Sequence, residues 1–194
     1  MKIILIQPKM RKRPVDTQIK TRMSPPLSLL TLMRLTPGEH DVVMINENVE
    51  KINYSSEAGL VGITITLDVL PRARRIAEKF RRLGVKVVAG GIHVTCNPEE
   101  CLPYFDSICI GPAERVWARI IEDTARSALK SVYQDMDDFR GEEIASPMYH
   151  RIDASRYLYT NVVATSRGCP NRCDFCYNSC PNRFYVLRPI PDVL

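Results

Sequence analysis

The chain has 194 residues, 45% hydrophobic and 25% charged, with a net charge of +5, and this globular composition excludes disordered and fibrous proteins. No apolar run approaches the ~20 residues that a membrane helix needs. The first run, Ile3–Ile6, is also too short for the ~7–15-residue core of a signal peptide. We therefore expect a cytoplasmic protein without a membrane span.

Short apolar runs alternate with helical patterns over the first 130 residues. The predicted strands are Ile3–Ile6, Val42–Ile45, Leu60–Ile65, Val85–Ala89 and Ser107–Ile110. The predicted helices are Leu27–Leu35, Pro71–Leu83, a short one starting at Asn97–Glu100, and Glu114–Leu129. This alternation predicts a doubly wound, five-stranded parallel α/β sheet of the Rossmann or flavodoxin-like type.

Ligands of such sheets bind at the carboxyl ends of the strands. That rule brings together a basic loop, residues 8–24, and the segments 64–68, 90–95 and 111–114. Glycines in these segments allow close approach of a ligand, and they fit tight turns equally well. The basic loop could contact an anionic group or be mobile, whereas the basic face of helix 71–83 is interpreted as solvated.

The remaining third of the chain is organised differently. Residues 131–159 lack a clear period and contain the acidic run Asp135–Asp138. We interpret 136–158 as a linker between a first domain, residues 1–135, and a second unit, residues 159–194. In this second unit a strand-like run, Tyr159–Ala164, leads directly towards a cluster of cysteines.

Four of the seven cysteines fall within twelve residues: Cys169, Cys173, Cys176 and Cys180. Thiolates this close repel each other, so a cation or a metal cluster must compensate their charge. Zinc sites commonly use two separated pairs, whereas iron–sulfur clusters use compact thiolate loops. Three cysteines on one loop fit a four-iron cluster with one iron open to another ligand.

The segment from Cys169 to Cys176, CPNRCDFC, resembles the Cys-x3-Cys-x-aromatic-Cys signature of radical S-adenosylmethionine (SAM) enzymes. The resemblance implies that Cys169, Cys173 and Cys176 bind a [4Fe–4S] cluster, that SAM chelates its fourth iron, and that Phe175 lies near the adenine. Cys180 is either a nearby free thiol or a fourth ligand in a resting form. The strand and loop would begin a radical SAM partial (β/α) barrel that the chain leaves truncated.

Upstream segments resemble the N-terminal cobalamin-binding domain of the B12-dependent branch of that family. They are Pro25–Leu30, Gly38–Val42, Val61–Thr64, Gly90–Thr95, Pro98–Glu100 and Ile110–Glu114. The last departs from the Gly-Glu-Gly-Glu often found in that branch, because it reads Gly-Pro-Ala-Glu. The cofactor contacts predicted in these segments are Thr64, Gly90, Gly91, His93, Thr95, Gly111 and Glu114. The loop after the third strand adds Thr66 and Leu67, which we expect to face the lower side of cobalt.

Many such domains place Asp-x-His-x-x-Gly after the first strand, and its histidine coordinates cobalt. No histidine lies in loop 8–24 of this chain. We therefore expect cobalamin with its own base displaced and no histidine ligand from that loop. His93 either contacts the nucleotide tail or caps a turn.

By this resemblance the protein is a cobalamin-dependent radical SAM enzyme. We expect a methyltransferase that acts on an unactivated carbon through a 5′-deoxyadenosyl radical and methylcobalamin. No catalytic side chain is predicted, since the cofactors carry the chemistry. The expected partners are a small-molecule substrate and a one-electron reductant such as flavodoxin or ferredoxin, with no nucleic acid.

Two alternatives remain open. A methylthiotransferase acting on tRNA or protein would need a second cluster, for which Cys96, Cys101 and Cys109 are the available cysteines. A non-catalytic cobalamin- or metal-binding module would need no barrel. Because a barrel takes far more residues than follow Tyr159, we expect this chain to be an incomplete fragment that is inactive alone.

Overall fold

The computed structural model describes residues 1–11, 14–17, 19–180 and 184–193. Its strands are β1 (Lys2–Gln7), β2 (Asp41–Asn46), β3 (Ala58–Thr64), β4 (Lys86–Gly90), β5 (Ser107–Ile110), β6 (Val132–Gln134), β7 (Ser166–Gly168) and β8 (Tyr185–Leu187). Its α-helices are α1 (Leu27–Leu35), α2 (Leu70–Arg82), α3 (Ile92–Cys96), α4 (Pro98–Cys101) and α5 (Trp117–Ala125). None of these helices has the length and apolar character that crossing a membrane would require.

The first six strands form one parallel sheet in the order β2-β1-β3-β4-β5-β6. The prediction of a parallel α/β sheet is confirmed, but the predicted number of five strands is wrong. Strand β6 extends the edge, where Val132 pairs with Ile108. The strand order reverses between β1 and β3, and open sheets of this kind bind ligands at such a reversal.

Helices cover both faces of the sheet, as the doubly wound prediction requires. Alternate residues of β1 point to opposite faces. Ile4 and Ile6 pack in the core under α2, whereas Ile3 and Leu5 pack in the core under α1 and α5. The second of these cores extends towards the carboxyl edge, where the candidate site lies.

Helix α5 is shorter than the predicted span of 114–129. The chain forms a loop before Trp117, and Ser127 adopts a positive φ of 57° after the helix ends. Left-handed backbone cannot continue an α-helix. Because α5 begins only at Trp117, the residues around Glu114 lie in the preceding loop and line the carboxyl edge of the sheet.

Residues 136–158 lie against the sheet domain. The Nε of Arg115 lies 2.6 Å from Oε2 of Glu143, and Nη1 of Arg156 lies 2.6 Å from Oε2 of Glu50. These ion pairs attach the predicted linker to residues that precede it in the chain.

The first strand of the second unit lies after the predicted strand-like run. Residues 159–164 form no strand, so that prediction is wrong, and β7 follows instead. Strand β7 pairs antiparallel with β8, with Arg167 opposite Val186. This short ribbon positions the residues that immediately precede Cys169.

Candidate functional site

A cavity of about 290 Å³ lies at the carboxyl edge of the sheet, between strands β3–β5 and helices α1 and α5. Its residues from α1 and the strands are Ser28, Leu29, Thr31, Leu32, Gly62, Ile63, Thr64, Val88, Gly90 and Cys109. Those from the loops and helices after β4 and β5 are Gly91, Ile92, Thr95, Gly111, Pro112, Ala113, Glu114, Trp117 and Ile120. Arg167, Gly168, Asn178 and Phe184 complete the wall from the second unit.

The cavity brings together six of the predicted cobalamin contacts. They are Thr64, Gly90, Gly91, Thr95, Gly111 and Glu114. Three other predicted contacts, Thr66, Leu67 and His93, lie outside its lining. The Leu67 side chain is 62% exposed, and the Thr66 hydroxyl donates to Oδ1 of Asp68 at 3.1 Å.

The turn after β4 is fixed by its backbone. Gly91 has a φ of 101°, in the region that favours glycine. A Cβ at this position would lie 2.8 Å from the carbonyl oxygen of Ile65. The Ile65 N–H donates to the Gly90 carbonyl at 2.8 Å, and the His93 N–H donates to the Ile65 carbonyl at 3.1 Å. This turn forms part of the cavity rim and is held tightly against the end of β3.

Thr95 connects the ends of β4 and β5. Its hydroxyl donates to the Gly91 carbonyl and accepts a hydrogen bond from the Gly111 N–H, each at 3.0 Å. Cys109, at the base of this rim, lies in β5. Burial, with a smaller contribution from the Glu114 carboxylate, raises the pKa of the Cys109 thiol to about 12. Cys109 therefore contributes a neutral thiol to the cavity wall.

The basic loop is described only in part, because Lys12 and Arg13 lie outside the described residues. The Lys9 N–H donates to Oε2 of Glu47 at 2.9 Å, and the same carboxylate pairs with Arg72. Burial raises the pKa of Glu47, but the hydrogen bonds from Arg72 and the Lys9 N–H outweigh it and lower that pKa overall. This network anchors the start of the loop at the carboxyl edge.

An ion pair joins the cavity rim to the second unit. Glu114, whose side chain is 5% exposed, pairs with Arg167, whose side chain is 25% exposed. Arg167 lies in β7, two residues before Cys169. The pair thus fixes the start of the three-cysteine loop at the edge of the cavity. We name this loop after its three signature cysteines and define it as residues 169–180, which also include Cys180.

Replacing Arg167 with methionine should destabilise the protein. The nearly buried Glu114 carboxylate would lose its partner, and loss of one partner of a buried ion pair costs about 3–5 kcal/mol. Because Arg167 is partly solvated, we expect the free energy of unfolding to fall by about 2 kcal/mol. Urea denaturation measures this change. The double variant Arg167→Met/Glu114→Gln should recover part of the loss, and equal stability of the single variant and wild type would contradict the assignment.

The far end of the three-cysteine loop is held against α3. Tyr177 directly follows Cys176, and its hydroxyl accepts a hydrogen bond from Nδ2 of Asn97 at 2.7 Å. The same hydroxyl contacts Nδ1 of His93, and the two rings stack with centroids 5.9 Å apart. On its other side, Nε2 of His93 lies 3.1 Å from the Glu100 carboxylate. The structure therefore gives the buried His93 partners from α4 and from the loop.

The three signature cysteines are half-buried. The Cys176 N–H and the Ser179 hydroxyl both donate to the Cys173 carbonyl at 2.9 Å, which makes a compact turn. Phe175 is 93% exposed. Across the described part of the chain, no three His, Cys, Asp or Glu residues are grouped closely enough to hold a metal ion. The assignment of Cys169, Cys173 and Cys176 as cluster ligands stays a prediction.

Sequence reasoning missed the walls of the cavity. Leu29, Val88 and Trp117 belong to apolar runs that predict only core packing. The available signal was Gly62, a glycine inside an apolar strand, which often marks close approach of another group. A Cβ at Gly62 would lie 2.9 Å from Cδ2 of Leu5 and 3.5 Å from the Trp117 ring. The missing side chain lets Leu5 and the indole of Trp117 pack directly against β3.

Residues 24–121 match the family model of the B12 binding domain. The chain belongs to this B12-binding family. The matched range includes α1, β3, β4, β5 and α3, and most of the cavity wall. The family assignment supports cobalamin as a cofactor of this protein, as the sequence predicts.

Three curated relatives of this B12-binding chain are named as methyltransferases. Bacteriochlorophyllide d C-8(2)-methyltransferase of Chlorobaculum tepidum is 35% identical over 158 residues, which cover 77% of this chain and 35% of the relative. An uncharacterized methyltransferase of Pyrococcus horikoshii is 31% identical, covering 92% of this chain and 46% of the relative. Bacteriochlorophyllide d C-12(1)-methyltransferase of Chlorobaculum tepidum is 27% identical, covering 90% and 39%. The chain thus spans less than half the length of these relatives.

Proposed function

We propose that this chain is the cobalamin-binding part of a methyltransferase that also uses a [4Fe–4S] cluster and SAM. The observation that carries the proposal is the convergence of six predicted contacts on one cavity, beside the loop that bears the three signature cysteines. The match to the B12 binding domain and the names of the relatives support the cobalamin and methyltransferase parts. The cluster and SAM rest on the cysteine signature.

The apolar lining of the cavity supports it as the site of the nucleotide tail of cobalamin. That tail ends in a flat, apolar dimethylbenzimidazole, and the cavity offers apolar walls from Leu29, Val88, Trp117 and Ile120. Burial of apolar area stabilises such a complex by about 25 cal/mol per Å². The indole of Trp117 is held in place because its Nε1 donates to the Thr36 hydroxyl at 3.0 Å.

The histidines of the chain support a site without a histidine from loop 8–24. Nδ1 of His40 contacts the N-terminal amine of Met1 at 3.1 Å, beside the start of β2 and away from the carboxyl edge. His93 is buried among Tyr177, Asn97 and Glu100. These positions support the proposal that cobalamin binds with its own base displaced and with no histidine ligand from that loop.

The second unit, residues 159–194, would hold the [4Fe–4S] cluster and SAM, which together generate the radical. When bound, a cluster with SAM supplies one-electron cleavage of the sulfonium, and cobalamin supplies a transferable methyl group. In this chain, Cys169, Cys173 and Cys176 would provide the iron ligands, and Phe175 would cover the adenine. Because Arg167 pairs with Glu114 at the cavity rim, the two proposed cofactor sites would lie at one edge of the sheet. A small-molecule substrate and a one-electron reductant such as flavodoxin or ferredoxin complete the proposed reaction.

Anaerobic reconstitution with iron, sulfide and hydroxocobalamin tests this function. We expect corrinoid absorbance to remain with the protein through gel filtration, together with about four irons per chain. Cobinamide, which keeps the corrin ring but lacks the nucleotide tail, is the matched control and should be lost.

Other outcomes of the reconstitution separate the alternatives. Absence of corrinoid absorbance would refute the cobalamin site, and corrinoid without iron would indicate a non-catalytic module. About eight irons without corrinoid would indicate a methylthiotransferase. The second cluster of that alternative would need Cys101 and Cys109, which are buried in the sheet domain.

A further inference from the structure

Cys180 lies outside the cysteine signature, and the proposed function gives it no role. It follows the turn Tyr177–Ser179, which contacts Cys96, the last residue of α3. We propose that Cys96 and Cys180 are a redox-active thiol pair that can link the three-cysteine loop to the sheet domain through a disulfide bond. The pair is separate from the predicted cluster ligands, so the proposal does not depend on the cluster.

A contact between α3 and the turn before Cys180 brings the pair together. The Cys96 thiol donates to the Tyr177 carbonyl at 3.2 Å, and the turn Tyr177–Ser179 ends at Cys180. A disulfide requires cysteines whose backbones are close and whose side chains face each other. The fold thus brings Cys96 and Cys180 to one junction although 83 residues lie between them in the sequence.

The backbone on both sides of the pair is held in place. Asn97, the next residue after Cys96, donates to the Tyr177 hydroxyl at 2.7 Å, and His93 stacks on the Tyr177 ring. Residues Tyr177–Ser179 form a 3-10 turn that ends at Cys180. The contact therefore belongs to a packed junction between α3 and the loop.

The pair is more accessible than the other two cysteines of the sheet domain. Cys101 and Cys109 are buried, whereas Cys96 and Cys180 are half-buried and can meet a small oxidant. Burial, with a smaller contribution from the neighbouring Cys180 thiol, raises the pKa of Cys96 to about 12. Cys96 is thus a weak first nucleophile, and we assign the first attack to Cys180.

The reaction is a thiol–disulfide exchange with a low-molecular-weight disulfide as the oxidant. Cys180, as its thiolate, attacks one sulfur of the oxidant, which forms a mixed disulfide and releases one small thiol. Cys96, after losing its proton, attacks the Cys180 sulfur, forms the Cys96–Cys180 bond and releases a second small thiol. The protein loses two electrons and two protons, and the oxidant is reduced to two thiols.

Disulfide mapping on the metal-free 194-residue protein tests the pair. The protein is treated with oxidised glutathione, its free thiols are blocked, and it is digested with trypsin and a glutamate-specific protease without reduction. Trypsin leaves Cys180 in peptide 173–183, and cleavage after Glu99 or Glu100 separates Cys96 from Cys101. We expect mass spectrometry to find the Cys96 peptide joined to peptide 173–183 as the main cross-link of Cys96.

Two matched variants identify the partner of Cys96 within that peptide. Cys180→Ala should abolish the cross-link, whereas Cys176→Ala should retain it. Oxidation in guanidinium chloride should scramble the linkage, since the folded contacts that select the pair are lost. A cross-link that survives Cys180→Ala, or the absence of any disulfide at Cys96 in the folded protein, would overturn the proposal.

Discussion

Replacing Gly90 with valine is expected to weaken the binding of hydroxocobalamin by about 100-fold, which corresponds to about 2.7 kcal/mol. Gly90 ends β4 and lines the cavity, as Val88 does two residues earlier on the same face of the strand. A Cβ at position 90 would meet the Cβ of Cys109 at 3.7 Å, an ordinary contact. The backbone therefore accepts a side chain, but its methyl groups occupy space that the nucleotide tail needs. Absorbance titration of the corrinoid measures the affinity.

The control for this substitution is Gly38→Val. Gly38 lies in the turn before β2, and no atom lies within 4 Å of a Cβ at that position. We expect Gly38→Val to bind cobalamin like wild type, and both variants to keep thermal midpoints close to it. Undiminished affinity in Gly90→Val would show that the nucleotide tail does not occupy this cavity. Equal losses in the two variants would point to a general effect on the fold.

Replacing Cys173 with alanine is expected to abolish the cluster. A four-iron cluster bound by three thiolates loses one of its three protein ligands when Cys173 is removed, and the signature gives Cys180 no place among them. We expect complete loss of the cluster absorbance near ~400 nm after anaerobic reconstitution, and loss of the bound iron with it. Absorbance and iron analysis on the same sample measure both.

Cys180→Ala is the matched control for the cluster variant, because it removes a half-buried thiol from the same loop. It should leave the absorbance and the iron content unchanged. Persistence of the absorbance in Cys173→Ala would refute the ligand assignment. Loss of the cluster in Cys180→Ala would instead make Cys180 a ligand, which the signature does not predict.

The sheet could be predicted because its strands are strongly apolar. Strands β1, β3 and β4 are buried on both faces, so their sequences are continuous apolar runs that can be recognised without knowledge of the fold. Strand β6 has three residues, and only Tyr133 is buried in it. Strand β6 belongs to the sheet because it pairs with β5, and its own three residues have no hydrophobic pattern that would predict a strand. The bounds of α5 were overestimated because its apolar period continues into residues that tertiary contacts draw into turns.

The candidate site also has a part that the sequence predicts and a part that it does not. The glycines and threonines of the cavity rim could be predicted because they lie at strand ends and turns, which are local features. The Glu114–Arg167 pair and the contacts of Tyr177 with His93 join segments that lie far apart in the chain. Neither residue of such a pair signals its partner, so a single sequence cannot reveal it. The apolar walls were missed for a different reason, since cavity-lining and core side chains share one pattern.

The cavity wall is completed by Arg167, Gly168, Asn178 and Phe184, all of which lie well beyond residue 121, where the B12-binding match ends. The sheet domain alone therefore does not form the complete cavity. Chimeras that exchange only the sheet domain between related proteins would combine one cavity rim with closing residues from a different chain. A substitution at Glu114 would likewise favour a compensating one at Arg167, so we expect these two positions to covary among related sequences.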